Sequence, residues 1–257
     1  MTPASDRSPA PSRPAAPAGR GVPDPATRPV RGVVFDLDGV LVESEHLWEE
    51  SWADHTRRRG HAWTPADTAA VQGMSAPEWA RYIAELLGDP GSAGEVRDAC
   101  VGYMIGALER GDIRLLDGAA ELVAGVAARV PVALASSAAR RLIDAVLPAF
   151  GLDRHFTATV SSEEVPRGKP APDVYAEAAR RIGAGPGRGV AVEDSANGIR
   201  AAHAAGLAVI AIPNPAYPPA PGALALAAQV ATGPGDARER ILTLIERGLP
   251  AREGDAP

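Results

Sequence analysis

The sequence predicts an α/β protein, a doubly wound parallel sheet with an inserted all-helical cap. Short continuous apolar runs recur along the chain, as strands covered on both faces require. Segments with helical spacing alternate with them at the pace of βα units. One long stretch, from about Glu45 to Arg114, breaks that alternation and reads as helices only.

The elements follow in order. Residues 1–29 are rich in Pro, Ala, Ser and Arg, show no hydrophobic periodicity, and read as a disordered tail. Order begins at Gly32-Val33-Val34-Phe35-Asp36, the first strand. The helical stretch then carries Trp48, Trp52 and Trp79 on or beside helical faces, with Trp63 in a turn. Its place, directly after the first strand, suits a cap over the binding edge of the sheet. The expected boundaries are 30–43 and 115–249 for the core and 44–114 for the cap. Further strands are expected at 131–135, 189–192 and 208–212, with a weaker one at 157–160. Helices are expected over 118–129, 139–147, 173–182 and 196–205. A Pro-rich loop, 213–221, leads to a weak strand near Ala228, a helix over about 237–247, and a frayed end at 250–257.

Composition narrows the function classes. The chain has 257 residues, enough to bury a sizeable core, and its hydrophobic content of 46% suits a globular protein. A formal net charge of -6 with no basic stripe argues against sequence-independent binding to nucleic acid or an anionic membrane. No apolar run approaches the length of a membrane span. Cys100 is the single cysteine and cannot form an internal disulfide, which suggests a reducing compartment. The start of the chain has no apolar h-region of a secretory signal. The expectation is a cytoplasmic monomer whose partner is a small molecule.

Four polar segments carry the chemistry: Asp36-Leu-Asp38-Gly39, Ser136-Ser137, Gly168-Lys169-Pro170 and Glu193-Asp194-Ser195. Three end predicted strands, and the third follows its strand by several residues. In an open α/β sheet, ligands bind beyond the carboxyl ends of the strands near the switch point, so the four should converge. Asp36, Asp38, Glu193 and Asp194 would then crowd together, and like charges resist joint ionisation. Protonation is one remedy; a hard cation such as Mg²⁺, which takes carboxylates, waters and a substrate phosphate, is the other. Lys169 supplies a positive point charge, Ser136 a hydroxyl donor for a phosphoryl oxygen, and Gly39 a close backbone approach. A carboxylate can attack phosphorus, and a second one can protonate the leaving oxygen.

Taken singly, each segment has a plain reading. Asp-x-Asp-Gly is usually a turn, Ser136-Ser137 a helix N-cap, Lys169 a solvated loop residue, and Glu193-Asp194-Ser195 a helix start. Their order at successive strand ends is what favours chemistry. Gly185-Pro-Gly187-Arg-Gly189 precedes a strand, where a nucleotide-binding loop must follow one. One Cys and five scattered His give no zinc spacing. His46, Trp48 and Gln72, in or beside the cap, are candidates for touching substrate, with cap packing as the simpler account of the first two.

Val34-Phe-Asp-Leu-Asp-Gly-Val-Leu-Val-Glu-Ser-Glu45 resembles the first motif of the haloacid dehalogenase-like superfamily. Ala133-Leu-Ala-Ser136-Ser is similar to its second, Gly168-Lys-Pro-Ala-Pro-Asp173 to its third and Glu193-Asp-Ser-Ala-Asn-Gly-Ile199 to its fourth. The branch with β-phosphoglucomutase, sugar phosphatases and phosphoglycolate phosphatase carries a helical cap at this position. The resemblance implies a Rossmann-like core, Asp36 as nucleophile and Asp38 as general acid/base. It implies that Ser136 and Lys169 bind the transferring phosphoryl group. Mg²⁺ would rest on Asp36, the backbone carbonyl of Asp38 and Asp194, with Glu193 in or near its outer shell. Glu43 stands where many relatives have Asp.

The expected function is a Mg²⁺-dependent phosphomonoester hydrolase acting on a small phosphorylated metabolite, a sugar phosphate above all, through an aspartyl-phosphate. The alternative enzyme is a phosphomutase of the β-phosphoglucomutase type, and the alternative of another class is a non-catalytic phosphate-binding module. Laid on the mutase pattern, the sequence has Trp48 where a cap histidine stands and Ala76 where a cap-loop arginine stands, which favours hydrolysis.

Overall fold

The computed structural model describes residues 27–71 and 73–250. The chain opens with β1 (Thr27–Arg28), β2 (Gly32–Phe35) and β3 (Val42–Glu43). Four helices follow: α1 (Glu45–Arg58), α2 (Pro65–Val71), α3 (Ala76–Leu86) and α4 (Ala93–Arg110). β4 (Arg114–Leu115) pairs antiparallel with β3 and closes the insert at its base. Then come α5 (Ala119–Ala127), β5 (Val132–Ser136), α6 (Arg140–Ala149) and β6 (Ala158–Ser161). Next are α7 (Asp173–Arg181), β7 (Gly189–Glu193), α8 (Ala196–Ala204) and β8 (Ala208–Ala211). The described chain ends with α9 (Pro221–Leu224), β9 (Gln229–Val230), α10 (Pro234–Arg247) and β10 (Leu249–Pro250).

Six strands form one parallel sheet in the order β6-β5-β2-β7-β8-β9. The winding reverses at β2, so the crevice beyond β2 and β7 is the place for a ligand. Successive strand residues face opposite sides. Val33, Phe35, Val132, Leu134, Val190, Val192 and Ile210 join one core, and Val34, Ala133, Ala135, Ala191, Val209 and Ala211 the other. Helices α5, α6 and α10 bury Leu122, Val126, Leu142, Ile143, Val146 and Ile241 in the first core. Helices α7 and α8 bury Val174, Tyr175, Ala178, Ile199 and Ala202 in the second. With helices over both faces, the strands need no polar residues, which is why they read as unbroken apolar runs.

The helical insert has its own aromatic centre. Trp48 and Trp52, one turn apart on α1, stack with centroids 6.0 Å apart, and Trp79 of α3 sits 5.6 Å and 5.9 Å from them. Trp63 lies 5.8 Å from Trp52. A capping box starts α3, with Ser75 as N-cap and Glu78 accepting the Ser75 N–H at 2.8 Å.

Element limits differ from the expected ones at three places. Thr27–Arg28 pair antiparallel with Leu249–Pro250, so the expected tail does not extend to residue 29, nor does fraying start at Pro250. A two-residue ladder carries no readable periodicity. The rest of both terminal segments, 1–26 and 251–257, lies outside the described residues. Helix α10 begins at Pro234, ahead of the expected 237, because proline suits the first turn where no N–H partner is needed. No helix among the described residues is long and apolar enough to cross a membrane.

Candidate active site

Asp36 is the first residue past β2, and its N–H still donates to the Val192 carbonyl at 3.1 Å. That bond extends the β2–β7 pairing by one step and fixes the carboxyl at the sheet's edge. The chain then turns sharply: Gly39 N–H donates to the Val42 carbonyl at 2.9 Å and Leu41 N–H to the Leu37 carbonyl at 2.9 Å. Gly39 has φ +73°, and a Cβ there would fall 2.1 Å from Asp194 Oδ2 and 2.5 Å from Glu45 Oε1. Only glycine fits. Its place is between two carboxylates.

Lys169 reaches this edge from the loop before α7. Its Nζ lies 2.8 Å from Asp36 Oδ1 and 2.6 Å from Glu193 Oε1, and its side chain is only 2% exposed. The ammonium also lies 4.9 Å from the centre of the Tyr175 ring. Burial alone would lower the lysine, but Asp36 and Glu193 raise it and keep it charged.

Glu193, the last residue of β7, is fully committed. Its Oε1 accepts from Lys169 and from the Tyr175 hydroxyl at 3.1 Å. Its Oε2 accepts the N–H groups of Asp194 and Ser195 at 2.9 and 2.8 Å, and the Ser195 hydroxyl at 3.0 Å. A Cβ on Gly198 would sit 1.5 Å from Glu193 Oε1, so the start of α8 is closed against this carboxylate. Burial pushes Glu193 up, but Lys169 and the Ser195 hydrogen bonds outweigh it and hold the carboxyl below its ordinary value.

Asp36 and Asp194 are pushed the other way. Burial drives Asp36 up to about 8; Lys169 opposes this, and Glu193 and Asp38 add to it. Asp194 is raised well above the ordinary range by burial, then by the charges of Glu193, Asp36 and Glu45. Carboxylate oxygens of Asp36, Glu193 and Asp194 lie within 4.8 Å of one another. One lysine cannot neutralise three buried carboxylates. The donors are all hard oxygens, and the set fits a hard divalent cation such as Mg²⁺. Because Glu193 already accepts five hydrogen bonds, Asp36 and Asp194 are the groups left to ligate.

Asp38 faces the insert. Its Oδ1 accepts from the Ser44 hydroxyl at 2.5 Å and from the Trp48 indole at 3.2 Å. Burial raises its carboxyl, opposed by those two hydrogen bonds. Trp48 therefore meets the reacting centre through Asp38.

The remaining expected residues fall in varied places. Ser136 is fully buried and its hydroxyl accepts the Ala138 N–H at 3.0 Å, holding the loop after β5. Its neighbour Ser137 lines the cavity, and the Ser137 hydroxyl is buried without a partner. His46 is exposed and lines a separate cleft with Glu43 and Asn214, because it points off the opposite side of α1 from Trp48. Gln72 lies outside the described residues.

The cavity above Asp36, Asp38, Lys169 and Asp194 holds about 360 Å³, walled by Trp48, Trp52 and Trp79 from the insert and Tyr217 from the core. Ser44, Tyr175 and Glu49 were not singled out from sequence. Tyr175 and Glu49 act through contacts between segments far apart in the chain, where no local pattern marks them. Ser44 alone had a signal, as the residue directly before a helix and inside the first motif.

A buried aspartate braced by lysine, with two further carboxylates, stands at the switch point of a capped sheet, an arrangement that suits a hydrolase. The family model for haloacid dehalogenase-like hydrolases matches residues 30–206, and the chain belongs to that family. It is 32% identical over 197 residues to hexitol phosphatase B of Escherichia coli, covering 73% of this chain and 86% of that protein. It is 32% identical over 184 residues to the bifunctional riboflavin kinase/FMN phosphatase of Arabidopsis thaliana, covering 71% of this chain and 48% of that longer protein. Among solved structures, CbbY from Rhodobacter sphaeroides in complex with phosphate matches with a TM-score of 0.71 at 26% identity, over 80% of this chain and 96% of that one.

Proposed function

We propose that the protein is a Mg²⁺-dependent phosphomonoesterase acting on a small phosphorylated metabolite of the sugar-phosphate kind. The observation that carries this reading is the division of labour between two aspartates. Asp36 is braced by Lys169 beside Asp194, while Asp38 is held two residues on, towards the insert, by Ser44 and Trp48. A nucleophile and a proton donor are thereby kept apart in role. The similarity to hexitol phosphatase B supports the substrate class.

In the first step an Asp36 oxygen forms a bond to phosphorus as the ester P–O bond breaks, and Asp38 gives its proton to the leaving oxygen. In the second, Asp38 takes a proton from water, the water oxygen attacks phosphorus, and Asp36 is released with inorganic phosphate. Lys169 stays charged throughout and offsets the negative charge on Asp36 and the transferring group. Asp36, Asp194 and the Asp38 backbone carbonyl would hold Mg²⁺, which when bound would supply positive charge against the phosphate oxygens. The Ser137 hydroxyl, unpartnered on the cavity wall, is a donor available to a phosphoryl oxygen. The walls above these groups limit bulk water during transfer.

The test is hydrolysis of p-nitrophenyl phosphate. Turnover is expected with Mg²⁺, falling to background after EDTA and returning when Mg²⁺ is added back. Full activity after exhaustive chelation overturns the metal assignment, and no turnover in any condition overturns the esterase.

A further inference from the structure

Resting on that esterase reading, we propose that the cavity selects esters whose leaving group bears a protonated amine, an aminated sugar or cyclitol phosphate. Neutral leaving groups rank below it and anionic ones last. The inference begins with charge beyond the reacting centre. Glu45 and Glu49, on the first turns of α1, line the same cavity as Asp36 and Asp38. Among the described residues Lys169 is the one cationic side chain in that lining, and it is committed to Asp36 and Glu193. Neither glutamate forms an ion pair among the described residues; Glu45 accepts from the Asn214 amide at 2.6 Å, and Glu49 faces a ligand more openly. Glu49 accepts from the Thr68 hydroxyl at 3.1 Å and from the Tyr217 hydroxyl at 3.2 Å. A carboxylate offers about four acceptor sites, so about two remain for N–H or O–H groups of a ligand.

The other walls agree. Trp48, Trp52 and Trp79 present aromatic surface, which takes the C–H face of a ring and attracts a cation but gives an anion little. The Trp52 indole N–H is buried with no partner, and it suits a ligand hydroxyl oxygen. The Trp48 indole is already spent on Asp38. A carboxylate or second phosphate on the leaving group would meet two glutamates and no arginine, a juxtaposition of like charges.

The experiment compares kcat/KM for glucosamine 6-phosphate, glucose 6-phosphate and 6-phosphogluconate, with p-nitrophenyl phosphate run on the same holoenzyme. These three share a phosphorylated six-carbon chain and differ in leaving-group charge. About tenfold is expected between amine and neutral ester, and at least as much between neutral and anionic. Glu49→Gln should bring the amine-to-neutral ratio close to one. A ratio at or below one in the unmodified enzyme overturns the proposal, as does equal turnover of the anionic ester or an unchanged ratio in Glu49→Gln. Failure of p-nitrophenyl phosphate hydrolysis removes the esterase reading and this one together; hydrolysis without the charge order removes only this one.

Discussion

At Asp36 two demands conflict, since a group that must attack phosphorus as an anion sits where burial favours its neutral form. Its ionised form costs the metal-free fold stability as pH rises from the unfolded carboxyl range towards the folded value of about 8. Asp36→Asn removes that cost together with the nucleophile. We predict that this variant loses at least ~1000-fold in kcat, while the unfolding midpoint of the metal-free protein stays level or rises. If it kept a tenth of wild-type kcat, the nucleophile would have to be another group. Lys169→Met should act in the opposite sense on stability, because Glu193 and Asp36 lose the only cation between them. Breaking a buried pair in this way costs about 3–5 kcal/mol, and denaturant titration reads it directly. An unaltered midpoint would show that the pair contributes nothing to the fold. Asp36, Lys169 and Asp194 were all legible in the sequence, because each falls where the alternation of strand and helix puts the ligand edge. The hydrogen bonds from Ser44 to Asp38 and from Tyr175 to Glu193 were not. Tyr175 and Glu193 are brought together only by the folded sheet, and Ser44, six residues on from Asp38, meets it through a turn that no periodicity shows.

The larger elements were readable for a related reason. Strands covered on both faces must be apolar throughout, and helices lying on them must repeat at 3.6 residues, so the core's βα units show in the chain. How the helical insert meets the core did not show. Part of the contact is made by small residues: Ala76 N–H donates to the Ser137 carbonyl at 3.1 Å, and Gly168 faces Ser75. A Cβ on Gly168 would lie 2.6 Å from Ser75 Cβ and 2.8 Å from Glu78 Oε2, at the capping box that starts α3. Gly168→Ala should therefore hold α3 away from the edge that carries Lys169 and Ser137. The expected result is a fall of about tenfold in kcat/KM, since misplacement of even ~1 Å in a site can cost that or more. Gly185→Ala is the control, because a methyl group there meets nothing within 4 Å. Equal kcat/KM in the two variants would show that the insert does not need this contact.

On the scale of the whole molecule, the choice between hydrolysis and phosphoryl return depends on what the insert brings over Asp36. A mutase must keep water from its phosphoaspartate until a sugar phosphate arrives, which requires cap groups that sense the substrate's second phosphate. The cavity here has no such group among its lining residues beyond Lys169, which the nucleophile already holds. Ala76 is fully buried at the contact with the core, so no arginine could occupy its place without parting the two. Trp48 turns its only donor to Asp38. Once the alcohol product leaves, about 360 Å³ opens directly above Asp36, room for on the order of ten waters at liquid density. Among the described residues no cationic group of the insert lines the cavity to hold a second phosphate in their place, and Asp38 is in position to activate one of the waters. We therefore predict that hydrolysis dominates. The measurement supplies β-glucose 1-phosphate with catalytic glucose 1,6-bisphosphate and follows both products over time. Inorganic phosphate should accumulate first; faster appearance of glucose 6-phosphate would mean that the phosphoenzyme waits for a sugar, and the mutase would take the hydrolase's place.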